Sequence, residues 1–249
     1  MREAAGVHWD PSQVDVSALS RVFGGTWPAS PPFAGTVPEL VEADLALEGE
    51  FPFETGTVAG FLRSGRLAGE IVEQQARSLA SAYERVWEDR SRGDVDVLTA
   101  DYIRTIHGIA ADTVALDAGK FRGEGSVVGG GHVSLADGTR IDGIDHGAGG
   151  ASIRALVEDL LTAVRNEADP VWQALILMCG LVRLQPFFDG NKRTARLIGS
   201  SVLIRAGHPW IRTVPERRGE WNDGLGRLFR DDDTTAFMQF MATSAAPLP

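Results

Sequence analysis

The run "VWQALILMCGLVRL", Val171 to Leu184, constrains this chain more than any other stretch. A helix drawn through it is apolar on all sides, and such a helix is stable only where each face meets protein. Asp169 and Pro170 stand just before it as an N-cap and a first-turn residue whose φ is already set for a helix. The expectation is a helix at the centre of a bundle. Cys179, the single cysteine, lies inside this run, which excludes a disulfide framework and reads as a small buried hydrophobe.

Around that centre the patterning is mostly helical. "AGEIVEQQARSLASAYERVWED" sets Ile71, Ala76, Leu79, Tyr83 and Val86 at three- and four-residue spacings, the stripe of an amphipathic helix. "LTADYIRTIHGIAAD" repeats the pattern with Thr99 as N-cap, and "ASIRALVEDLLTAVRNE" is a further helix. Between them, Gly119 to Gly150 holds 11 of the 29 glycines and β-prone runs around Asp137-Gly138, which predicts a hairpin. Neither G-x-G-x-x-G nor G-x-x-x-x-G-K-[ST] occurs there, so a dinucleotide or P-loop site is excluded. "TWPASPPFAGTVPEL" carries four prolines in fifteen residues and predicts an extended segment over the surface.

At 249 residues the chain suits one large domain, and its net charge of −10 opposes non-specific binding to nucleic acid or an anionic membrane. The first residues lack the apolar core of a leader peptide, and no stretch reaches the roughly 18 to 20 apolar residues of a membrane span. A soluble, cytoplasmic protein is expected.

The local exception in charge is "LQPFFDGNKRTAR", Leu184 to Arg196, directly after the apolar run. A loop that opens a helix near Asn191 presents unsatisfied N–H groups at the positive end of the helix dipole, which is an anion site. Gly190 lets the chain turn, Lys192, Arg193 and Arg196 add charge, and Asp189 offers a hard oxygen suited to Mg²⁺. The ligand so implied is a metal-bound polyphosphate. A plain capped helix start with solvated basic residues is the alternative.

This loop resembles the signature of the Fic (Fic/Doc) family, H-x-F-x-[DE]-G-N-[GK]-R-x-x-R, at each defining position but the first, where Gln185 stands in place of His. "LTADYIRTIHGI", "AGKFRG" and "EWNDGLGRLFRDDDTTAFMQFM" are similar to the family's flanking elements, in order, over roughly residues 36 to 243. The resemblance implies a mainly α Fic-fold helical core with a small β-hairpin flap. It divides the chain into a Pro-rich N-terminal segment at 1–35, a Fic domain at 36–243 and a C-terminal tail at 244–249. Within the domain, 36–95 would hold N-terminal helices with an inhibitory segment and 96–243 the core.

By the same resemblance the protein would use Mg²⁺ and ATP, or another nucleotide, as co-substrate. Asp189 would hold the metal, Asn191 and Arg193 the α and β phosphates, and Arg196 the γ-phosphate, with Gly190 and Lys192 completing the loop. Phe187 would anchor that loop and Trp221 would meet the base, unless it is a core residue. The flap would dock a protein segment by strand addition. "DLALEG" partly matches the family's inhibitory motif, with Glu48 at the position that pairs with Arg196 and Asp44 where the motif has Ser or Thr.

Gln185 decides the chemistry that remains. Imidazole is basic and available near neutral pH, whereas a carboxamide has no basic form there. It can orient a group but cannot deprotonate one. The readings are therefore an atypical nucleotidyl or phosphoryl transferase acting on an already ionised acceptor, such as a small anionic molecule, or one that borrows a base from His132, Asp142, Asp145 or His146. A catalytically inactive nucleotide sensor or regulator is another alternative. A partner-binding protein that uses no nucleotide is the last.

Overall fold

The structure is a computed structural model that describes residues 1–27, 37–48, 62, 70–113, 115–126 and 131–246. Its centre is the expected apolar helix, Pro170–Leu184, in which eleven residues are buried and Asp169 caps the N-terminus by accepting the Val171 N–H at 2.8 Å. In chain order the described helices are α1 (Val37–Glu48), α2 (Glu70–Asp89), α3 (Ala100–Ala110), α4 (Ala151–Arg165), α5 (Pro170–Leu184), α6 (Asn191–Arg205), α7 (Arg218–Arg230) and α8 (Thr235–Ala242). The protein is mainly helical. α5 packs against α4, α6 and α8, so neighbours cover it on several sides as its composition requires. α6 in turn meets α2 and α3. Thr99 caps α3 through the Tyr102 N–H at 3.1 Å.

The stripe expected on α2 is buried at Ala76, Leu79, Tyr83 and Val86, but Ile71 is 65% exposed. It lies in the first turn of the helix, ahead of the segment that reaches the core. Cys179 is fully buried, and that burial pushes its thiol pKa up and keeps it protonated.

Two short antiparallel hairpins accompany the helices: β1 (Arg2–Ala4) with β2 (Val7–Trp9), and β3 (Val133–Ser134) with β4 (Arg140–Ile141). The second is the hairpin expected around Asp137-Gly138. The first was not anticipated. Its turn is Ala5-Gly6, both at positive φ, a conformation that Asn-Gly or Asp-Gly signals far more clearly than Ala-Gly does. Val7 and Trp9 are buried in the core, and the His8 carbonyl accepts the Thr234 N–H at 2.8 Å. The chain start is thus built into the domain instead of running up to it, although residues 28–36 of the Pro-rich segment lie outside the described residues. At the other end, Ser244 and Ala246 pair with Arg212 and Trp210 through backbone hydrogen bonds of 2.6 and 2.7 Å, so the residues expected as a tail begin inside the fold. No helix among the described residues is long and apolar enough to cross a membrane.

Candidate functional site

The loop Gln185–Gly190 leaves the C-terminus of α5 and enters the N-terminus of α6. Gln185 is the left-handed cap of α5 (φ 46°, ψ 58°), and Gly190 caps α6 at φ 73°. A Cβ at Gly190 would lie 2.8 Å from the Ala111 Cβ, so this position needs glycine both for its dihedral and for its clearance.

Side chains from outside the loop hold its shape. Arg122 is buried, and its guanidinium donates to the carbonyls of Gln185 (2.6 Å), Leu184 (3.3 Å) and Ile144 (2.9 Å). Its backbone N–H adds a bond to the Pro186 carbonyl at 2.8 Å. The orphan carbonyls of a helix end are thereby satisfied by one cation. Burial lowers the Arg122 pKa, with the nearby Asp145 acting in the opposite direction.

His107 on α3 pins the other end. The Gly119 N–H donates to its Nδ1 at 2.8 Å, so Nε2 carries the proton and donates to the Asp189 carbonyl, also at 2.8 Å. Its ring stacks on Phe187 at 3.6 Å between centroids and 6° between planes, and Phe121 closes on Phe187 at 5.2 Å. Burial pushes the His107 pKa down to about 4, against the raising effect of the Asp189 carbonyl, and the Arg193 charge lowers it further. It is a neutral, fixed donor. "AGKFRG" and the helix bearing His107 thus template the loop, roles that spacing alone did not reveal because they depend on which backbone carbonyls meet which side chains.

Within the loop, Asn191 is the organiser. Its Oδ1 accepts the Phe187 N–H at 2.8 Å, while Nδ2 donates to the Phe187 carbonyl at 2.9 Å and to Gln185 Oε1 at 3.0 Å. Both amide hydrogens that could have met a phosphate are engaged in the loop. Gln185 is 7% exposed, and its Nε2 donates to the Val182 carbonyl at 2.6 Å. The side chain expected to orient a substrate is tied to the end of α5 and the start of α6 by one bond each.

Asp189 is exposed at the loop tip, with Oδ1 accepting the Gly190 N–H at 2.6 Å. Among the described residues there is no cluster of three or more metal-ligating side chains. One open carboxylate suits a metal that arrives with a phosphate ligand better than a resident ion. Arg193 and Arg196 are buried on the first two turns of α6. Trp221 is 2% exposed, packed on Phe237 and Phe240, and Arg196 lies over its ring at 5.2 Å, so it is chiefly a core residue that supports the site.

Beside the start of α6, a cavity of about 120 Å³ is lined by Lys192, by Arg218, Trp221 and Leu225 of α7, by Leu47 of α1, and by flap residues Ser134 to Ala136. A larger cavity of about 390 Å³ lies between β4, α7 and Arg183, but no residue of the loop or of α6 lines it. The smaller one carries Lys192 from the start of α6 and Arg218 from α7, two basic residues beside the loop, and is the better candidate for an anionic ligand.

Glu48 ends α1, and its side chain and Gly49 lie outside the described residues. The partner that α1 gives Arg196 among the described residues is Asp44, with its Oδ1 3.2 Å from the Arg196 Nε. Of the flap candidates for a base, His132, Asp142 and Asp145 are exposed, and His146 Nδ1 lies 2.7 Å from the Gly147 carbonyl.

A mainly helical core, a short hairpin and a glycine-capped loop between two buried helices are the architecture of a Fic-type domain. Residues 97–203 match the Fic/DOC family, and the chain carries a Fic/DOC domain there. Its relatives include the protein adenylyltransferase Fic of Drosophila grimshawi, 35% identical over 77 residues, or 31% of this chain and 16% of that protein. The corresponding Drosophila willistoni protein is 27% identical over 149 residues, 59% of this chain and 28% of its own length. These matches span less than a third of the adenylyltransferases. Among solved structures, a Fic family protein from Desulfovibrio desulfuricans superposes with a TM-score of 0.69 at 20% identity, covering 86% of this chain and 63% of that one. A Fic domain containing signaling protein from Bacteroides thetaiotaomicron gives 0.63 at 18% identity, covering 94% and 90%. At that identity the likeness establishes the fold.

Proposed function

We propose that this protein is a Fic-type transferase that binds a Mg-nucleotide at residues 189 to 196 and passes a nucleotidyl or phosphoryl group to an acceptor that is already ionised. The observation that carries the reading is the prebuilt loop: Gly190 opens a buried helix whose first two turns hold Arg193 and Arg196, and His107 and Arg122 fix the backbone before any ligand arrives. Preorganised donors of this kind stabilise charge without reorganising during reaction.

Asp189 would meet the metal, which would neutralise phosphate charge. The N–H groups of the first turn of α6 and Arg193 would hold the phosphates, and Lys192 would face the nucleotide in the adjoining cavity. The acceptor oxygen attacks phosphorus, and the opposite bridging P–O bond breaks with its electron pair leaving on the departing phosphate. No proton has to be removed from a carboxylate or phosphate acceptor, so the absence of a base at Gln185 costs nothing in that reaction. A protein segment on the flap or a small anionic molecule would present that oxygen.

A second reading, a nucleotide-responsive regulator without turnover, is favoured by the engagement of the Gln185 amide with Val182 and Asn191 and of the Asn191 amide with Phe187. Calorimetry with Mg-ADP and Mg-ATP tests the shared premise: Arg193→Ala should weaken both by about 2 kcal/mol, the scale of a charge-assisted hydrogen bond. Failure of the native chain to bind either would end both readings. Product analysis then separates them. Gln185→His should bring AMP transfer to protein hydroxyls, rising through the imidazole pKa, while native turnover on a carboxylate acceptor should not titrate between about pH 6 and 7. No product with any acceptor from either protein leaves the regulator.

A further inference from the structure

The cavity of about 390 Å³ has the size of a small-molecule site, and none of the residues assigned to the anion loop lines it. It continues the seam that holds the smaller cavity. Flap residues 134–136 and Leu225 of α7 line the smaller one, whereas Val133 and Ile141 of the flap, Ile144 beyond it, and Leu228 and Phe229 of α7 line the larger. Leu228 is three residues beyond Leu225, about 4.5 Å along the axis of α7. The two cavities also flank the loop, since Lys192, just after it, lines the smaller and Arg183, just before it, lines the larger.

The polar groups of the larger cavity are unequal. Asp232 Oδ1 accepts Arg183 Nε at 2.8 Å and its Oδ2 lies 3.0 Å from His8 Nδ1, so Arg183 and Asp232 compensate each other. The Asp142 side chain is 93% exposed, and solvent screens its charge. Arg230 differs. Its side-chain bonds to Asp137 and Thr139 on the flap turn both use Nη2, and among the described residues its Nε and Nη1 make no hydrogen bond. The Asp137 side chain is itself 54% exposed, and an ion pair so open to water holds its guanidinium weakly. A guanidinium with donors to spare, beside a wall of Val, Ile, Leu and Phe side chains, matches a carboxylate carried on an apolar body.

We infer that this cavity is a second ligand site, which takes a small carboxylate with an apolar body and recognises it through Arg230. Its molecule would sit beside the loop while the loop stays open to an anion of its own. That is the arrangement of a two-substrate enzyme, and only this last link rests on the proposed function.

The test is calorimetric titration of the full chain with 4-phenylbutyrate, 4-phenylbutanamide and 4-phenylbutylamine, with and without Mg-ATP. Native protein should bind the acid about tenfold more tightly than the amide or the amine, and Mg-ATP should change that affinity by less than about twofold. Arg230→Gln should weaken the acid about tenfold and leave the amide alone. Asp137→Asn breaks the same contact with the flap but keeps the guanidinium, so it should not weaken the acid. Ile141→Trp, which fills the cavity, should abolish acid binding; if that variant does not fold by thermal melt, the Arg230 and Asp137 pair decides. The inference is overturned if the acid does not bind, if the amide or amine binds as tightly, if Arg230→Gln changes nothing, or if Asp137→Asn weakens the acid as much as Arg230→Gln does. Displacement of the acid by Mg-ATP also overturns it, because the acid then occupies the anion loop or the smaller cavity. If the acid binds and Mg-ATP does not, the proposed function falls and this site stands.

Discussion

Two of the chain's four Asp-Gly dipeptides, Asp189-Gly190 at the entry to α6 and Asp137-Gly138 in the flap, form turns that are held in opposite ways. Both glycines take positive φ, 73° and 83°. Around Gly190 the carbonyls of Leu184, Gln185, Pro186 and Asp189 are bonded by Arg122 and His107, and a Cβ there would strike Ala111. Around Gly138 nothing lies within 4 Å of the added Cβ. The flap turn closes on itself, through the Leu135 and Thr139 backbones and the Asp137 side chain, and is joined to α7 by Arg230, which donates to Asp137 and Thr139. One turn is set by the core and the other by its own residues. Under the proposed function, the turn held by the core would face the nucleotide and the turn held by its own residues would face the acceptor.

The strongest way to break this contrast is Arg122→Ala, which leaves the buried carbonyls of Leu184 and Gln185, and the half-buried one of Ile144, without their shared donor. The expected loss is about 4 kcal/mol in urea unfolding, since hydrogen bonds to a charged group are worth about 1.5 to 3 kcal/mol each and do not sum fully. A loss below about 1 kcal/mol would mean that the loop holds its own shape, as the flap does.

Acid should act next most strongly, through His107. Its folded pKa, about 4, lies below the ordinary 6.5, so the unfolded chain binds the proton first and stability falls as pH drops through that window. The sign follows: full stability above about pH 6.5, a loss of about 2 kcal/mol by pH 5 and about 3 kcal/mol by pH 4 from this group. Denaturant melts across pH 4 to 7 should show this slope, and His107→Gln should flatten it.

The paired glycines sharpen the comparison at smaller scale. Gly138→Ala should cost about 1 kcal/mol, the strain of an L-residue at positive φ. Gly190→Ala adds overpacking against Ala111 and should cost about 2 to 3 kcal/mol. Equal values for the two would show that the anion loop yields as freely as the flap.

The sequence by itself determined the central helix, because a segment apolar on all sides has only one kind of stable surroundings, and it determined the caps at Thr99 and Asp169 and the flap hairpin, whose signals are local. It also placed the turn at Gly190 and the start of α6 at Asn191, since a turn glycine and a helix start are legible in a dozen positions. It did not reveal that Ala5-Gly6 closes a hairpin whose Trp9 enters the core, because that turn lacks the residues that favour its dihedrals. Nor could it assign Arg122, His107 and Asp44 their partners. Those contacts, one ion pair and two hydrogen bonds, join residues 44 and 196, 107 and 189, and 122 and 185, and nothing in local spacing says which buried group will meet which helix end. Only the packing of α6 on α5, of α3 on α6 and of α1 on α2 brings these groups together, and once they are buried there the cost of leaving any of them uncompensated fixes the arrangement.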